Sequence, residues 1–226
     1  MTQLLPWSYS RLDAFKKCRK MFYHQTVAKD VPFEESDQMK WGNRVHKALE
    51  YRVRDNVPLS GEFAQFECIA AAIQRAPGTN LCEYKITLNP SLQPTGWFEK
   101  DAYIRVIVDV LKINGQVGFM GDYKTGKMKF DELQLKLFAA AGFQAFPDIQ
   151  QWTTAYVWTQ DKIIDPKVYS RAQLPTLWVE LLAEARQIQE AYEANQWPAK
   201  PGWSCGYCSA NKYRKCEFAA SPYKGQ

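Results

Sequence analysis

The tract from Asp109 to Lys124 constrains this chain more than any other. It reads Asp-Val-Leu-Lys-Ile-Asn-Gly-Gln-Val-Gly-Phe-Met-Gly-Asp-Tyr-Lys. Asn-Gly between runs of β-branched and aromatic residues is a strong hairpin signal, because a tight hairpin turn needs positive φ. With Asn114-Gly115 as the loop, Ile113 faces Gln116 and Asp109 stands opposite Met120. Side chains alternate along a strand, so Met120, Asp122 and Lys124 are expected on the face of Asp109. Asp109 and Asp122 are then diagonal neighbours, roughly 7–8 Å apart at the backbone. The opposite face carries Ile104, Val106, Val108, Val110, Val117 and Phe119 and is expected in the core. Ile107, Leu111 and Met120 share the acid-bearing face, so its charges are half-buried.

Two clustered carboxylates repel and need a counter-charge. A hard divalent cation such as Mg²⁺ supplies it, taking oxygen ligands at about 2.1 Å and keeping room for water and phosphate. A lysine beside that cation can orient or deprotonate an attacking water and stabilise charge on phosphorus. Acid, acid, lysine and cation together suit hydrolysis of a phosphodiester. The plain alternative is a surface hairpin with solvated charges.

Asp109 followed by Asp122-Tyr123-Lys124-Thr125-Gly126 resembles the PD-(D/E)XK nuclease superfamily, specifically its RecB and Cas4-like branch. Further segments are similar to that branch in the same order. Ser8-Tyr9-Ser10-Arg11-Leu12 with Phe15 and Cys18 resembles its opening, and Trp41 to Glu50 resembles its "G-x-x-x-H-x-x-L-E" helix. Gln134-Leu135-Lys136-Leu137-Phe138 resembles its "Q-L-x-x-Y" helix, with phenylalanine in place of tyrosine. Cys205, Cys208 and Cys216 resemble its C-terminal cysteine set. The resemblance spans Ser8 to Cys216. It implies that His46, Asp109, Asp122 and the backbone carbonyl of Tyr123 hold one or two Mg²⁺ or Mn²⁺ ions. It further implies that Lys124 sets the water and that Gln134 orients the site and nearby nucleic acid. Glu83, at the start of a strand, is a weaker candidate. Glu50, one turn after His46, is expected to face solvent. Lys127 and Lys129 either meet phosphates or belong to a solvated loop.

The chain has six cysteines. Cys68 and Cys82 lie in apolar stretches and are expected as buried thiols. Cys205-x-x-Cys208 sets two sulfurs on one tight turn, and Cys216 follows. In a reducing compartment such a cluster binds metal more often than it forms disulfides. A closed site needs a fourth ligand, for which Cys18 is the candidate. The resemblance implies a [4Fe–4S] cluster on Cys18, Cys205, Cys208 and Cys216. The longer last spacing leaves Zn²⁺ open. Such a site would tie the two ends of the chain together in a structural role.

At 226 residues the chain can bury one full core. Its 46% hydrophobic content favours folding over disorder. A formal charge of +5 permits polyanion binding without arguing for it. No apolar run approaches the roughly 20 residues of a membrane span. No basic-then-apolar leader opens the sequence, so the expected location is the bacterial cytoplasm, or the host cytoplasm for a viral protein.

The chain reads as an α/β domain over residues 1–226, with a mixed central sheet flanked by helices. Its restriction-endonuclease-like αβββαβ core covers about 39–170. A helical N-terminal part (8–25) and a Cys-rich tail (174–218) are joined at the cysteines. Expected elements are a helix capped by Ser10, a helix over Met39–Val53 and another over Glu62–Arg75. A strand over Cys82–Leu88 and the hairpin come next, then a helix over Glu132–Gln144 capped by Asp131. A strand over Gln151–Thr159 and a helix over Leu174–Asn195 complete the order. The expected partner is DNA, single-stranded or with free ends, with a recombination or replication protein as a further partner. The leading reading is a metal-dependent DNA exonuclease. The alternatives are a nucleic-acid-binding or assembly subunit with a non-hydrolytic site, and a zinc-binding interaction protein.

Overall fold

A computed structural model of the chain describes residues 4–129 and 131–218. Five strands form one mixed sheet: β1 (Thr79–Leu88), β2 (Ile104–Asn114), β3 (Val117–Lys124), β4 (Gln151–Trp158) and β5 (Ile163–Ser170). Their spatial order is β1-β2-β3-β4-β5. Only the β3–β4 pair is parallel; the others are antiparallel. In chain order the helices are α1 (Tyr9–Lys17), α2 (Arg19–Phe22), α3 (Asp37–Asp55), α4 (Glu67–Arg75), α5 (Leu133–Ala145), α6 (Leu174–Glu193) and α7 (Ser209–Lys212). This is the mixed α/β architecture expected of a restriction-endonuclease-like core. No helix among the described residues is long and apolar enough to cross a membrane.

The hairpin forms, with its turn displaced by one residue. Asn114 pairs with Val117 and Ile113 with Gly118, so the loop is Gly115-Gln116 rather than Asn114-Gly115. Gly115 has φ +60°. A glycine at the first loop position is the requirement of a type II′ turn, which leaves Asn114 free to extend the strand. The pairing partner of each β2 residue therefore moves by two, and the alternation on β3 is preserved. Asp109 and Asp122 would be the next directly opposed pair, but the ladder ends at Val110↔Gly121.

Strand β5 is absent from the sequence-based order. Its Pro166 cannot donate to a ladder, which argues against an interior strand; β5 lies at the sheet edge, where proline is tolerated. The first helix is capped by Ser8 rather than Ser10, with Ser8 Oγ accepting from the Arg11 amide at 3.4 Å. Asp131 Oδ1 accepts from the Leu133 amide at 2.9 Å, at the start of α5.

The chain groups into two compact units. The larger, Asp37–Leu181, holds the sheet. Val45, Leu49 and Val53 of α3 and Ile69, Ala70 and Ile73 of α4 pack with Val110, Tyr123 and Val157 of the sheet. Helix α5 lies against the sheet from another side. A Cβ on its Gly142 would meet the Met120 methyl and the Trp152 ring. The smaller unit combines Met1–Ser36 with Leu182–Gln226. There Phe15 and Phe22 pack edge to face, and Trp197 stacks on Phe22.

Candidate active site

One transverse row of the sheet carries three acids, Glu83 on β1, Asp109 on β2 and Asp122 on β3. The backbone is irregular along the whole row. Cys82 pairs with Val110 and Tyr84 with Val108, while Glu83 and Asp109 between them stay unpaired. Glu83 has φ +51°. A left-handed, non-glycine residue inside a strand costs about 1–2 kcal/mol. Such strain gathers at functional sites. On the other side, just past the end of the β2–β3 ladder, Asp109 Oδ2 accepts the Tyr123 amide at 2.6 Å.

Helix α3 closes this end of the row. His46 Nδ1 lies 3.3 Å from Asp109 Oδ1, and its ring meets the edge of Tyr123 at 5.8 Å between centroids. Gly42, one turn earlier, permits the approach, since a Cβ there would already lie 3.2 Å from Thr125 Oγ1. His46, Glu83 and Asp109 each place a ligand atom within 4.8 Å of the other two. Glu83 is a weak candidate in the sequence because a lone acid at a strand start gives no directional signal; the left-handed backbone that aims it is invisible in the residue string.

Asp122 and Lys124 point toward α5 instead. Gln134 Nε2 donates to Asp122 Oδ1 at 2.5 Å, and Lys124 Nζ donates to Gln134 Oε1 at 2.9 Å. Lys124 Nζ also pairs with Asp122 Oδ2 at 2.7 Å. Gln134 thus bridges the acid and the lysine, and all three are held in one geometry. The Lys124 carbonyl is itself fixed by the Thr159 amide and hydroxyl. Asp122 is therefore adjacent to, but outside, the three-donor group.

The electrostatics of the row show a deficit of positive charge. Burial pushes the Asp122 carboxyl up to about 6, helped by the charge of Asp109 and opposed by Lys124 and His46. Burial also raises Glu83, with Asp109 and Glu50 adding to it. Burial works against the charged form of His46, but the hydrogen bond and charge of Asp109, with Asp122 and Glu83, outweigh it and raise its pKa. Carboxylates held up in this way favour a cation, and two carboxylates with an imidazole suit a hard-to-borderline divalent ion. The donor set fits Mg²⁺ or Mn²⁺.

Other expected residues fall elsewhere. Glu50 is buried rather than solvent-facing, and it pairs with Lys47 and Arg54. Phe138 is buried, a packing position. Lys127 and Lys129 are exposed. Cys68 is exposed, contrary to expectation, because α4 turns it away from the face that buries Ile69 and Ile73; Cys82 is half-buried.

In the smaller unit Cys18, Cys205, Cys208 and Cys216 line one small cavity, and none is in a disulfide. Cys18 interrupts the first helical segment with extended backbone between α1 and α2. The Lys200 amide donates to Cys18 Sγ at 3.5 Å and the Gly202 amide to Cys205 Sγ at 3.4 Å. Burial raises the Cys208 and Cys216 thiols. Two of the four sulfurs, those of Cys18 and Cys205, thus accept amide N–H groups; among the described residues no three cysteine sulfurs lie within 4.8 Å of one another, a spacing that only His46, Glu83 and Asp109 meet.

Comparison with known proteins bears on the family and the fold. The family profile of the PD-(D/E)XK nuclease superfamily matches residues 6–213. Among solved structures, a candidate exonuclease from Eubacterium rectale aligns with a TM-score of 0.56 at 13% identity, over 93% of this chain and 88% of that one. The protein SSO0001 aligns with a TM-score of 0.51 at 13% identity, over 96% and 88%. At that identity the two structures speak for the fold alone. No curated protein matches the chain. With nearly its whole length matched by the profile, the chain belongs to the PD-(D/E)XK nuclease superfamily.

Proposed function

We propose that this protein hydrolyses phosphodiester bonds in DNA with Mg²⁺ or Mn²⁺, as an exonuclease of the RecB and Cas4-like branch acting on single-stranded or free ends. The observation that carries the reading is the juxtaposition of two constellations: the donors His46, Glu83 and Asp109, and the locked Asp122–Gln134–Lys124 bridge. When bound, the divalent ion offsets phosphate charge and acts as a Lewis acid toward phosphoryl oxygen. His46, Glu83 and Asp109 would hold it, and Asp122 and the Tyr123 carbonyl are the further ligands that the family resemblance implies. The Lys124 ammonium, paired with Asp122, would orient the attacking water and stabilise the charge that develops on phosphorus. Gln134 keeps Lys124 from drifting, which matters because a misplacement near 1 Å can cost about 100-fold in rate.

At the cysteine site the same reading assigns Cys18, Cys205, Cys208 and Cys216 to a [4Fe–4S] cluster, with Zn²⁺ as the alternative. The role is structural: binding free energy at a site joining distant segments becomes folding free energy. The protein then acts as a single nuclease domain in a cytoplasm, alongside recombination or replication proteins.

End-labelled single- and double-stranded DNA, incubated with purified protein and Mg²⁺ or Mn²⁺, tests the hydrolytic assignment. Degradation from an end that stops on adding EDTA is expected. DNA binding without turnover in any divalent ion would instead assign the chain as a binding subunit.

A further inference from the structure

The acid row adjoins a surface that the chemistry above does not use. Ile107 lies two residues from Asp109 and Lys85 two from Glu83, about 7 Å along their strands. Lys85 pairs with Ile107, and Thr87 with Arg105, so Lys85, Ile107 and Arg105 share one face. Ile107 is 41% exposed although Val106 and Val108 on either side are buried. The loop joining β1 to β2 lays Trp97 beside both cations. Lys85 Nζ is 5.2 Å and the Arg105 guanidinium carbon 5.7 Å from the ring centroid. Arg105 Nε also donates to the Trp97 carbonyl at 3.1 Å, tying the loop to the strand. The next residue, Phe98, is 90% exposed.

Two features set this surface apart from ordinary solvated charge. The cations of α3 are neutralised: Arg44 pairs with Glu62, Lys47 with Glu50 and Arg54 with Glu50. Among the described residues, Lys85 and Arg105 form no ion pair; the loop's own Asp101 instead accepts from the Thr95 hydroxyl at 2.8 Å. A phenyl ring held almost wholly in water on an anchored loop also gains nothing from folding.

We propose that Lys85, Arg105, Trp97 and Phe98 form a platform that receives a single nucleic-acid strand and feeds it to the acid row. The inference rests on the nuclease reading and names the part of the substrate that the protein selects. Lys85 and Arg105 meet phosphates, and Phe98 stacks on a base, with Trp97 holding the cations in place. Stacking requires a base with a free π-face, which a strand has when unpaired and a duplex withholds. The two cations and the ring span a few nucleotides at 3.4 Å or more per nucleotide.

The test is fluorescence anisotropy in EDTA, where no cutting occurs, with a labelled single-stranded 12-mer and the same sequence as a duplex. Phe98→Ala removes an exposed ring and leaves folding intact. It should weaken single-strand binding by roughly 5- to 100-fold and leave duplex binding unchanged. Lys85→Ala with Arg105→Ala should flatten the slope of log K against log salt by about 1.4, at 0.7 per phosphate contact. Folded variants that bind the single strand as wild type does, at every salt concentration, overturn the platform. Cleavage by wild-type protein in Mn²⁺, run alongside, separates the two readings. Cutting with unaltered Phe98→Ala binding removes the platform alone, whereas wild type that neither binds nor cuts removes the nuclease reading with it.

Discussion

Asp122 carries the clearest conflict between stability and chemistry. It is 6% exposed, beside Asp109, and its carboxyl is pushed up to about 6 from an ordinary 3.8. A group whose folded pKa is raised contributes stability that is fully present below the unfolded value and is lost as pH rises through the folded one. Metal-free protein should therefore lose stability between about pH 4 and pH 6 on account of this residue. Asp122→Asn should be more stable than wild type at pH 8 in EDTA, by about 1–3 kcal/mol, and lose that advantage at pH 4. The same variant should not cut DNA. Melting curves at the two pH values check the first statement, and a wild type more stable than the variant at pH 8 would refute it. The acid and lysine positions were legible in the sequence because strand alternation is a rule of backbone geometry. The Gln134 bridge was not, because it depends on how α5 docks on β3, and docking has no local signature.

At the level of elements, the hairpin shows where residue patterns stop. Asn-Gly marks a turn but leaves open which of its two residues begins the loop. The positive φ falls on Gly115 at the first position, and that moves the register by two. The alternation survived the shift, which is why the acids were placed usefully from the wrong pairing partner. Strand β5 was missed because Pro166 argues against a strand unless the edge position is known. The β3–β4 pairing makes a sharper statement. Gly118 is opposite Trp152, and a Cβ on Gly118 would overlap the ring of that buried tryptophan. Gly118→Ala must displace a fully buried ring and should cost about 1–3 kcal/mol or more. Chemical denaturation measures it; a variant within about 0.5 kcal/mol of wild type would show that the packing between β3 and β4 yields to an added methyl.

At the level of the whole molecule, a second compact unit combines Met1–Ser36 with Leu182–Gln226 and contains Cys18, Cys205, Cys208 and Cys216. The C-x-x-C spacing marks Cys205 and Cys208 as candidate ligands, whereas Cys18, 187 positions before Cys205, enters as the candidate fourth ligand of a closed site and through family likeness. If the site is structural, Cys208→Ala should lower the melting temperature and reduce bound metal together. Unchanged melting with slower cleavage would contradict that role. Iron with labile sulfide, against colourless zinc, distinguishes the two metals.

Cleavage as proposed depends on a divalent cation meeting a scissile phosphate at His46, Glu83 and Asp109. The most direct measurement is the initial rate of cleavage of end-labelled DNA as a function of Mn²⁺ concentration for wild type, Glu83→Gln and Asp109→Asn. The predicted result is saturable dependence in wild type, a half-maximal Mn²⁺ concentration raised about tenfold or more in Glu83→Gln, and no cleavage by folded Asp109→Asn. Cleavage that persists in EDTA, or an Asp109→Asn curve that overlays wild type, would contradict it.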